Sequence, residues 1–364
     1  MITYRLHCLL TLLSLVFQVN GIAQTTNTVL LDSAEIDRLR QQIATHGEVQ
    51  QLYDSVVDLA ELYRTAVPRP LSVLYYEGLL ENNPDRIDTR KSLADIDKLI
   101  SYIYASYGQG GQHYAAQVKR FVLAWSGTYQ PTGNTIDENK FCPLFWSYYL
   151  FRDYFSSGEQ QQVEAWMRTI ARKQMERKRT PNNNWQAKRM KIAGIVGCVT
   201  NDEEMKQFSL NGLKEYINTA YYADSTSRDL AQRDALHYHV GGLKPLLSIF
   251  INLKKFDPAF DLFSYTSPDG ASVEKSVAYV VPYATGQKVR QEWVNSKVEL
   301  DHQRAAAGLE EYQPGILFDP AEAIPLFEWA SYYHRAWYSI VHKGSKGYTA
   351  TWVGLLNSPL VRTK

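Results

Sequence analysis

Ser92-Leu93-Ala94-Asp95-Ile96-Asp97-Lys98-Leu99-Ile100-Ser101-Tyr102-Ile103-Tyr104-Ala105-Ser106 decides the fold class of this chain. Leu93, Ile96, Leu99, Ile100 and Ile103 recur at helical spacing on one face, and a serine opens the run. The same pattern continues on both sides. Upstream, Ser33 to Ala66 holds two amphipathic segments stopped by Pro68 and Pro70. Downstream come Tyr114 to Trp125, the aromatic-rich Phe141 to Phe155, Glu159 to Met175, Trp185 to Val199 and Glu203 to Thr219. Ala231 to Leu253, Glu292 to Ala307 and Ala321 to Trp337 complete the series. Strand signals are confined to Tyr338 to Val341 and Tyr348 to Val353, which read either as a small hairpin across Gly344 to Gly347 or simply as the chain's tail. Arg69 to Arg90 and Phe256 to Gln291 read as loops, the first a candidate lid carrying Tyr75 and Tyr76. No short repeat motif is present, so tetratricopeptide and ankyrin arrays are excluded. Helix after helix with short turns predicts an all-α chain, an incomplete α/α toroid of antiparallel helical hairpins forming a single domain over residues 24–364.

Composition agrees with a globular protein. The chain has 364 residues, 45% hydrophobic, 21% charged and 13% aromatic, which excludes disordered, collagen-like and coiled-coil chains. The formal net charge of +1 argues against a general nucleic-acid or membrane binder. Residues 1–23 read as a secretory signal peptide: Arg5, the apolar run Leu9 to Val19, then Gly21-Ile22-Ala23 at the cleavage site. The expected location is therefore periplasmic or secreted, with no membrane span in the mature chain. Cys142 and Cys198 remain after cleavage. They either pair in an oxidising compartment or stay as buried thiols, and without a tight Cys/His cluster no structural zinc site is expected.

Three constellations carry chemistry. Thr180-Pro181-Asn182-Asn183-Asn184-Trp185 precedes an apolar helix. One Asn suffices as a cap, whereas carboxamides can also donate to a carboxylate and stabilise an enolate developing on it. Around it, Arg168 to Lys191 holds nine basic residues and one acid, Glu176. Such a run is a solvated helix face or an attractor of a polyanion, with Lys188 and Arg189 nearest the Asn cluster. In Arg233-Asp234-Ala235-Leu236-His237-Tyr238-His239, residues 234, 237 and 238 share a helix face, and Tyr238 can act as acid or base beside a cation. His237 and His239 point to different faces and are poor partners for one metal.

Together with Leu123-Ala124-Trp125 and Tyr129-Gln130-Pro131-Thr132-Gly133-Asn134-Thr135-Ile136-Asp137-Glu138-Asn139-Lys140, these motifs resemble the alginate lyase superfamily of polysaccharide lyases. The likeness runs from about Leu93 to Arg304, nearest in flavour to polysaccharide lyase family thirty-eight and more distantly to family five. The resemblance implies an α/α toroid and β-elimination in a 4-linked uronate polymer, with no metal or organic cofactor. It implies Tyr238 as proton-transfer residue and Asn183 as neutraliser of the substrate carboxylate, with Asn184, Arg233 and His239 completing the catalytic set. Trp185, Lys188, Arg189, His237, Asn134, Asn139, Tyr75 and Tyr76 are the expected substrate contacts, and an anionic polysaccharide the expected partner. Two departures stand out. Asn184 occupies a position where alginate lyases of this type often carry a His able to serve as a second base. The family-five Arg seven residues before the Tyr is Ala231 here, and Arg233 is the nearest substitute. Without the His, Tyr238 has to serve as base and acid on one face of the sugar. That predicts activity on polymannuronate or glucuronan and little on polyguluronate. An inactive uronate-binding toroid and a glycoside hydrolase are the alternatives; Asp224, Asp229 and Asp234 are the carboxylates a hydrolase would draw on.

Overall fold

The computed structural model describes residues 28–79, 82–178, 180, 183–344 and 351–362, so the expected leader lies outside the described residues. The chain is all-helical, and among the described residues the only β pairings are isolated bridges. Helices α1 (Ser33–Thr45) and α2 (Gly47–Leu62) lead into α3 (Pro84–Gln109). The start of α3 is written locally. The Asn83 side chain accepts from Asp85 N and Arg86 N, and Pro84 fills the first position, where no donor is needed. Then follow α4 (Ala115–Thr128), α5 (Thr135–Glu138), α6 (Cys142–Leu150), α7 (Ser157–Glu176), α8 (Asn184–Thr200) and α9 (Glu203–Ala220). The chain continues through α10 (Arg228–Arg233), α11 (Leu236–Leu253), α12 (Val273–Ala284), α13 (Glu299–Ala306), α14 (Ile324–Ala330), α15 (Tyr338–Gly344) and α16 (Trp352–Leu356).

These helices make two layers. Helices α3, α6, α8, α11 and α14 pack each against the next as an inner row, while α4, α7 and α9 pack outside them. Burial explains the division. Helix α6 is buried from Cys142 to Tyr148, α8 from Met190 to Thr200 and α11 almost throughout from Leu243 to Leu253, whereas α7 and α9 bury one face only. The α8–α9 hairpin is especially tight. A Cβ at Gly197 would meet the backbone N of Lys206 at 2.8 Å, so that position needs glycine, and one at Gly194 would meet Leu253 Cδ1 on α11 at 2.7 Å, so that side chain would have to shift. Lys191 lies within electrostatic range of Lys244, and Gly194 touches Leu253. The α8–α11 contacts thus advance in one direction along both helices, which puts their N-termini at the same end of the toroid.

Residues 28–35 and Arg362 are tied together. Leu30 N donates to Asn252 Oδ1 at 3.0 Å, Asn252 Nδ2 donates to Thr28 O at 2.7 Å, and the buried Arg362 Nη1 reaches both Leu30 O at 3.0 Å and Glu35 Oε1 at 2.8 Å. Segment 28–31 is thereby tied to α11 and to the chain's last residues.

Four sequence expectations are corrected. The hairpin does not form: 338–344 and 352–356 are helical, and 345–350 lie outside the described residues. Short β-branched and aromatic runs fit either state, and packing of α15 and α16 against α14 decides. Arg69 to Arg90 is not all loop, because α3 begins at Pro84. Phe256 to Gln291 contains α12, with Pro282 near its end, where few hydrogen bonds are lost. The expected helices 231–253 and 292–307 are each interrupted, the first at Asp234 and the second up to Val298, by residues in the left-handed region: Asp234 at φ 52° and Trp293 at φ 64°. Both interruptions shape the site.

Candidate active site

At the N-terminus of α8, Asn183 is the cap. Its Oδ1 accepts from Trp185 N at 3.0 Å, which leaves Nδ2 as a donor with no partner among the described residues. The helix dipole adds positive potential at the same point. Asn184 follows, half-buried, and neither its amide nitrogen nor its oxygen is engaged among the described residues. Trp185 carries the Arg177 guanidinium 5.3 Å from its ring centre, and Arg177 Nη1 is fixed on Gly133 O at 2.8 Å. Arg179, Pro181 and Asn182 lie outside the described residues.

Lys188 and Arg189 diverge. Arg189 clamps the end of α7, its Nε on Gln174 O and its Nη2 on Met175 O at 2.9 Å, with the guanidinium 5.0 Å from the Phe208 ring centre. It satisfies carbonyls that a helix end leaves open. Lys188 makes no hydrogen bond or ion pair among the described residues; burial and the nearby Lys140 push its amine down to about 8.

On α11 the break at Asp234 is heavily secured. Its carboxylate accepts from Arg290 Nη2 at 2.6 Å and from Asn295 N and Nδ2 at 3.0 and 3.1 Å, and its carbonyl accepts from Trp293 N at 2.9 Å. The break starts a fresh helix, α11, with Tyr238 in its first turn. The Tyr238 hydroxyl accepts from Arg304 Nη1 at 3.1 Å, and the same Nη1 reaches the Tyr312 hydroxyl at 3.0 Å. The Arg233 guanidinium lies 3.8 Å from the Tyr238 ring centre and is held by Asp301 Oδ1 at 2.8 Å. Trp293 packs edge-on to Tyr238 at 5.6 Å and against Tyr312 at 5.0 Å. A non-glycine residue at positive φ costs about 1 kcal/mol, and here that strain positions an aromatic wall on Tyr238. Burial pushes the Tyr312 hydroxyl up to about 12, helped by its hydrogen bond to Tyr238, so Tyr312 keeps its proton. Two cations thus lie against Tyr238, Arg304 at its hydroxyl and Arg233 at its ring.

The two histidines are placed differently. His239 is 0% exposed, with Nδ1 on Ser227 Oγ at 2.9 Å and Nε2 on Ser276 O at 3.1 Å; burial pushes it down to about 4. Both ring nitrogens are spent in the core. His237 is exposed, and its Nδ1 meets Glu322 Oε2 at 2.5 Å, a bond that raises its pKa.

The remaining expected contacts form the rim and its supports. Asn134 caps α5, accepting from Ile136 N at 3.0 Å and Asp137 N at 3.3 Å, and Asn139 is buried with Oδ1 3.9 Å from Cys142 Sγ. The motif around them is a fold lock: Glu138 accepts from Thr132 N at 2.6 Å, Gly133 N at 2.9 Å and Gln174 Nε2 at 2.5 Å. Tyr75 is exposed, with its backbone N on Thr89 Oγ1 at 3.0 Å. Tyr76 has Lys140 Nζ 4.6 Å and Arg86 Cζ 4.9 Å from its ring centre. Cys142 and Cys198 are both buried and free.

Sequence reading missed Arg304, Tyr312, Trp293 and Asp301. No local motif marks them. They reach Tyr238 from a segment 55 to 74 positions downstream whose irregular start was read as helix.

Residues 64–290 match the family described as alginate lyase. By sequence, no curated protein matches the chain. Among solved structures the chain is similar to an alginate lyase from Bacteroides ovatus, with 13% identity and a TM-score of 0.66 over 92% of this chain and 99% of that one. It is also similar to alginate lyase A1-III from Sphingomonas species A1, with 17% identity and a TM-score of 0.50 over 81% and 95% of the two chains. A Tyr-to-Phe variant of alginate lyase A1-III complexed with a tetrasaccharide aligns at 16% identity and a TM-score of 0.51, covering 81% and 94%. At such identities these likenesses concern the fold.

Proposed function

The chain belongs to the alginate lyase family and is a polysaccharide lyase, and from that premise we propose that it cleaves 4-linked polymannuronate or glucuronan by β-elimination, with Tyr238 carrying the proton. The observation that carries the reading is the Tyr238 hydroxyl on Arg304, 3.1 Å away, with Arg233 against its ring.

Asn183 Nδ2, at the positive end of α8, donates to the substrate carboxylate and spreads the charge that develops there. That acidifies the hydrogen on C5. In this cycle Tyr238, beside Arg304 and Arg233, acts as tyrosinate and takes this proton. The C–H electron pair enters an enolate and then the C4–C5 double bond as the C4–O4 bond breaks. The departing O4 takes the proton back from Tyr238, so the enzyme ends as it began. Tyr312, which keeps its proton, shares Arg304 Nη1 with Tyr238.

This cycle needs the C5 hydrogen and O4 on one face of the sugar. Mannuronate and glucuronate offer that, and guluronate does not. Support comes from the side chains a second base would draw on: Asn184 is an amide, the His237 ring is bound to Glu322, and His239 is sealed in the core. The hydrolase alternative fares worse, since Asp234 is bound by Arg290 and Asn295, and Asp224 by Thr226 N at 3.0 Å. Export through residues 1–23 would deliver the enzyme to such polymers outside the cytoplasm. Among the described residues no helix is long and apolar enough to cross a membrane.

Incubation with polymannuronate, glucuronan and polyguluronate tests the proposal. Ultraviolet absorbance of the conjugated C4–C5 double bond is expected from the first two. Reducing ends without that absorbance would indicate a hydrolase, and binding without either would indicate an inactive carbohydrate-binding toroid. A preference for polyguluronate would overturn the same-face route.

A further inference from the structure

The inner face of α8 carries a feature the elimination chemistry does not use. Asn184, Lys188 and Lys191 recur at i, i+4 and i+7, so they line one face from the mouth inward. Lys140, on the turn Asn139–Phe141, and Lys244, on α11, join them within electrostatic range. Lys191 is only 2% exposed, while Lys140 and Lys188 are half-buried. The acids facing this group are Glu77 beside Lys188, Asp97 beside Lys140 and Glu328 beside Lys244. Burial raises Asp97 to about 7 and also raises Glu328, which weakens them as counter-charges. Neither Lys140 nor Lys188 has a carboxylate within ion-pair distance among the described residues. The cations in contact with the same spot are Lys140 and Arg86, both on the Tyr76 ring.

Amines that are dehydrated and close to one another repel. An entering anion relieves that repulsion, and much of the desolvation cost is already met within the fold. We propose that Lys140 and Lys188, braced by Tyr76, form an anion subsite for the carboxylate of a second uronate, next to the one whose carboxylate meets Asn183. Lys188 lies five residues beyond Asn183, roughly 7 Å along the helix axis, so the two groups reach different sugars of one chain. Tyr76, with two cations on its ring, works here as the holder of Lys140. The subsite rests on the uronate-lyase reading and extends it to a second point of recognition. Because Lys188 is free to lose its proton near pH 8, binding there weakens as pH rises through that value.

The test measures binding by calorimetry in the Tyr238→Phe background, with uronate tetrasaccharides and their carboxyl-reduced counterparts as probes. Lys188→Gln and Lys140→Gln are each expected to weaken binding of the acidic probe about tenfold at pH 7 and to leave the reduced probe unaffected. Between pH 7 and pH 9 affinity is expected to fall about tenfold with Lys188 present. Lys188→Arg, whose charge does not titrate there, should bind equally at both pH values, and this rescue also shows that the position tolerates substitution. Unchanged affinity in both Gln variants, or the same pH dependence in Lys188→Arg, would overturn the subsite while leaving the lyase reading intact. Failure of that reading is distinct: no unsaturated product from wild-type protein on any uronate polymer.

Discussion

The first turns of α8 and α11 sit at the same end of the toroid and treat charge in opposite ways. Around the start of α11 the charges are paired: Arg233 with Asp301, Asp234 with Arg290, His237 with Glu322, and Arg304 with two tyrosine hydroxyls. On α8 the cap amide Nδ2 and the Lys188 amine have none among the described residues. Paired charges fix geometry, which proton transfer requires. Unpaired donors wait for an anion, which recognition requires. The proposed mechanism uses the first arrangement for proton transfer and the second to receive the substrate's carboxylates.

The largest expected effect lies on the α11 side. Tyr238→Phe removes one hydroxyl and little volume, and kcat is expected to fall about 10²–10⁴-fold with oligosaccharide affinity retained. Turnover assays set beside calorimetry check this, and wild-type turnover would shift the proton transfer elsewhere. Next comes Arg304→Gln, expected to lower kcat about 10²-fold with a smaller change in KM, because the lost group acts on charge that develops in the transition state. Arg304→Lys should recover part of it. An effect on KM alone would move Arg304 to the binding side.

His239 tests where the chemistry of α11 stops. Its pKa is about 4 in the folded protein, against an unfolded value near 6.5, so below pH 6.5 the unfolded chain takes up a proton that the native state refuses. Stability is therefore expected to fall as pH drops from 6.5 to 4, by about 3 kcal/mol in total. In His239→Gln this component of the pH slope should vanish in denaturant titrations, and the pH–rate profile above pH 6 should keep its shape. A changed profile there would bring His239 back into the reaction. The smallest effect separates neighbours on α8. Arg189→Gln removes hydrogen bonds to the end of α7 and is expected to cost about 1–3 kcal/mol of stability without altering substrate affinity. Lys188→Gln should do the reverse. Equal behaviour of the pair would mean that the basic stretch acts as one surface.

Much of this was legible in the sequence. The recurrence of Leu93, Ile96, Leu99, Ile100 and Ile103, repeated along the chain, specifies helices with one buried face, and those helices are present. Asn183 and Tyr238 stood out because each sits in a compact local motif at a helix start. The hairpin at 338–353 was misread because short apolar runs suit either state. The basic run from Arg168 to Lys191 looked like a unit, yet Arg177 and Arg189 turn to backbone carbonyls while Lys188 has no ion-pair partner among the described residues.

What the sequence determined by itself is local: helix faces, caps, the all-α class and the two motifs, since each depends on residues a few positions apart. What only the tertiary structure decided is which distant groups meet. Arg304 and Tyr312 reach Tyr238 across 66 and 74 positions because left-handed turns at Asp234 and Trp293 fold that segment back over α11. The same packing seals His239 between Ser227 and Ser276. The charge on a side chain is written in its residue type, but its partner depends on burial and on the approach of other helices, and neither has a periodicity to read.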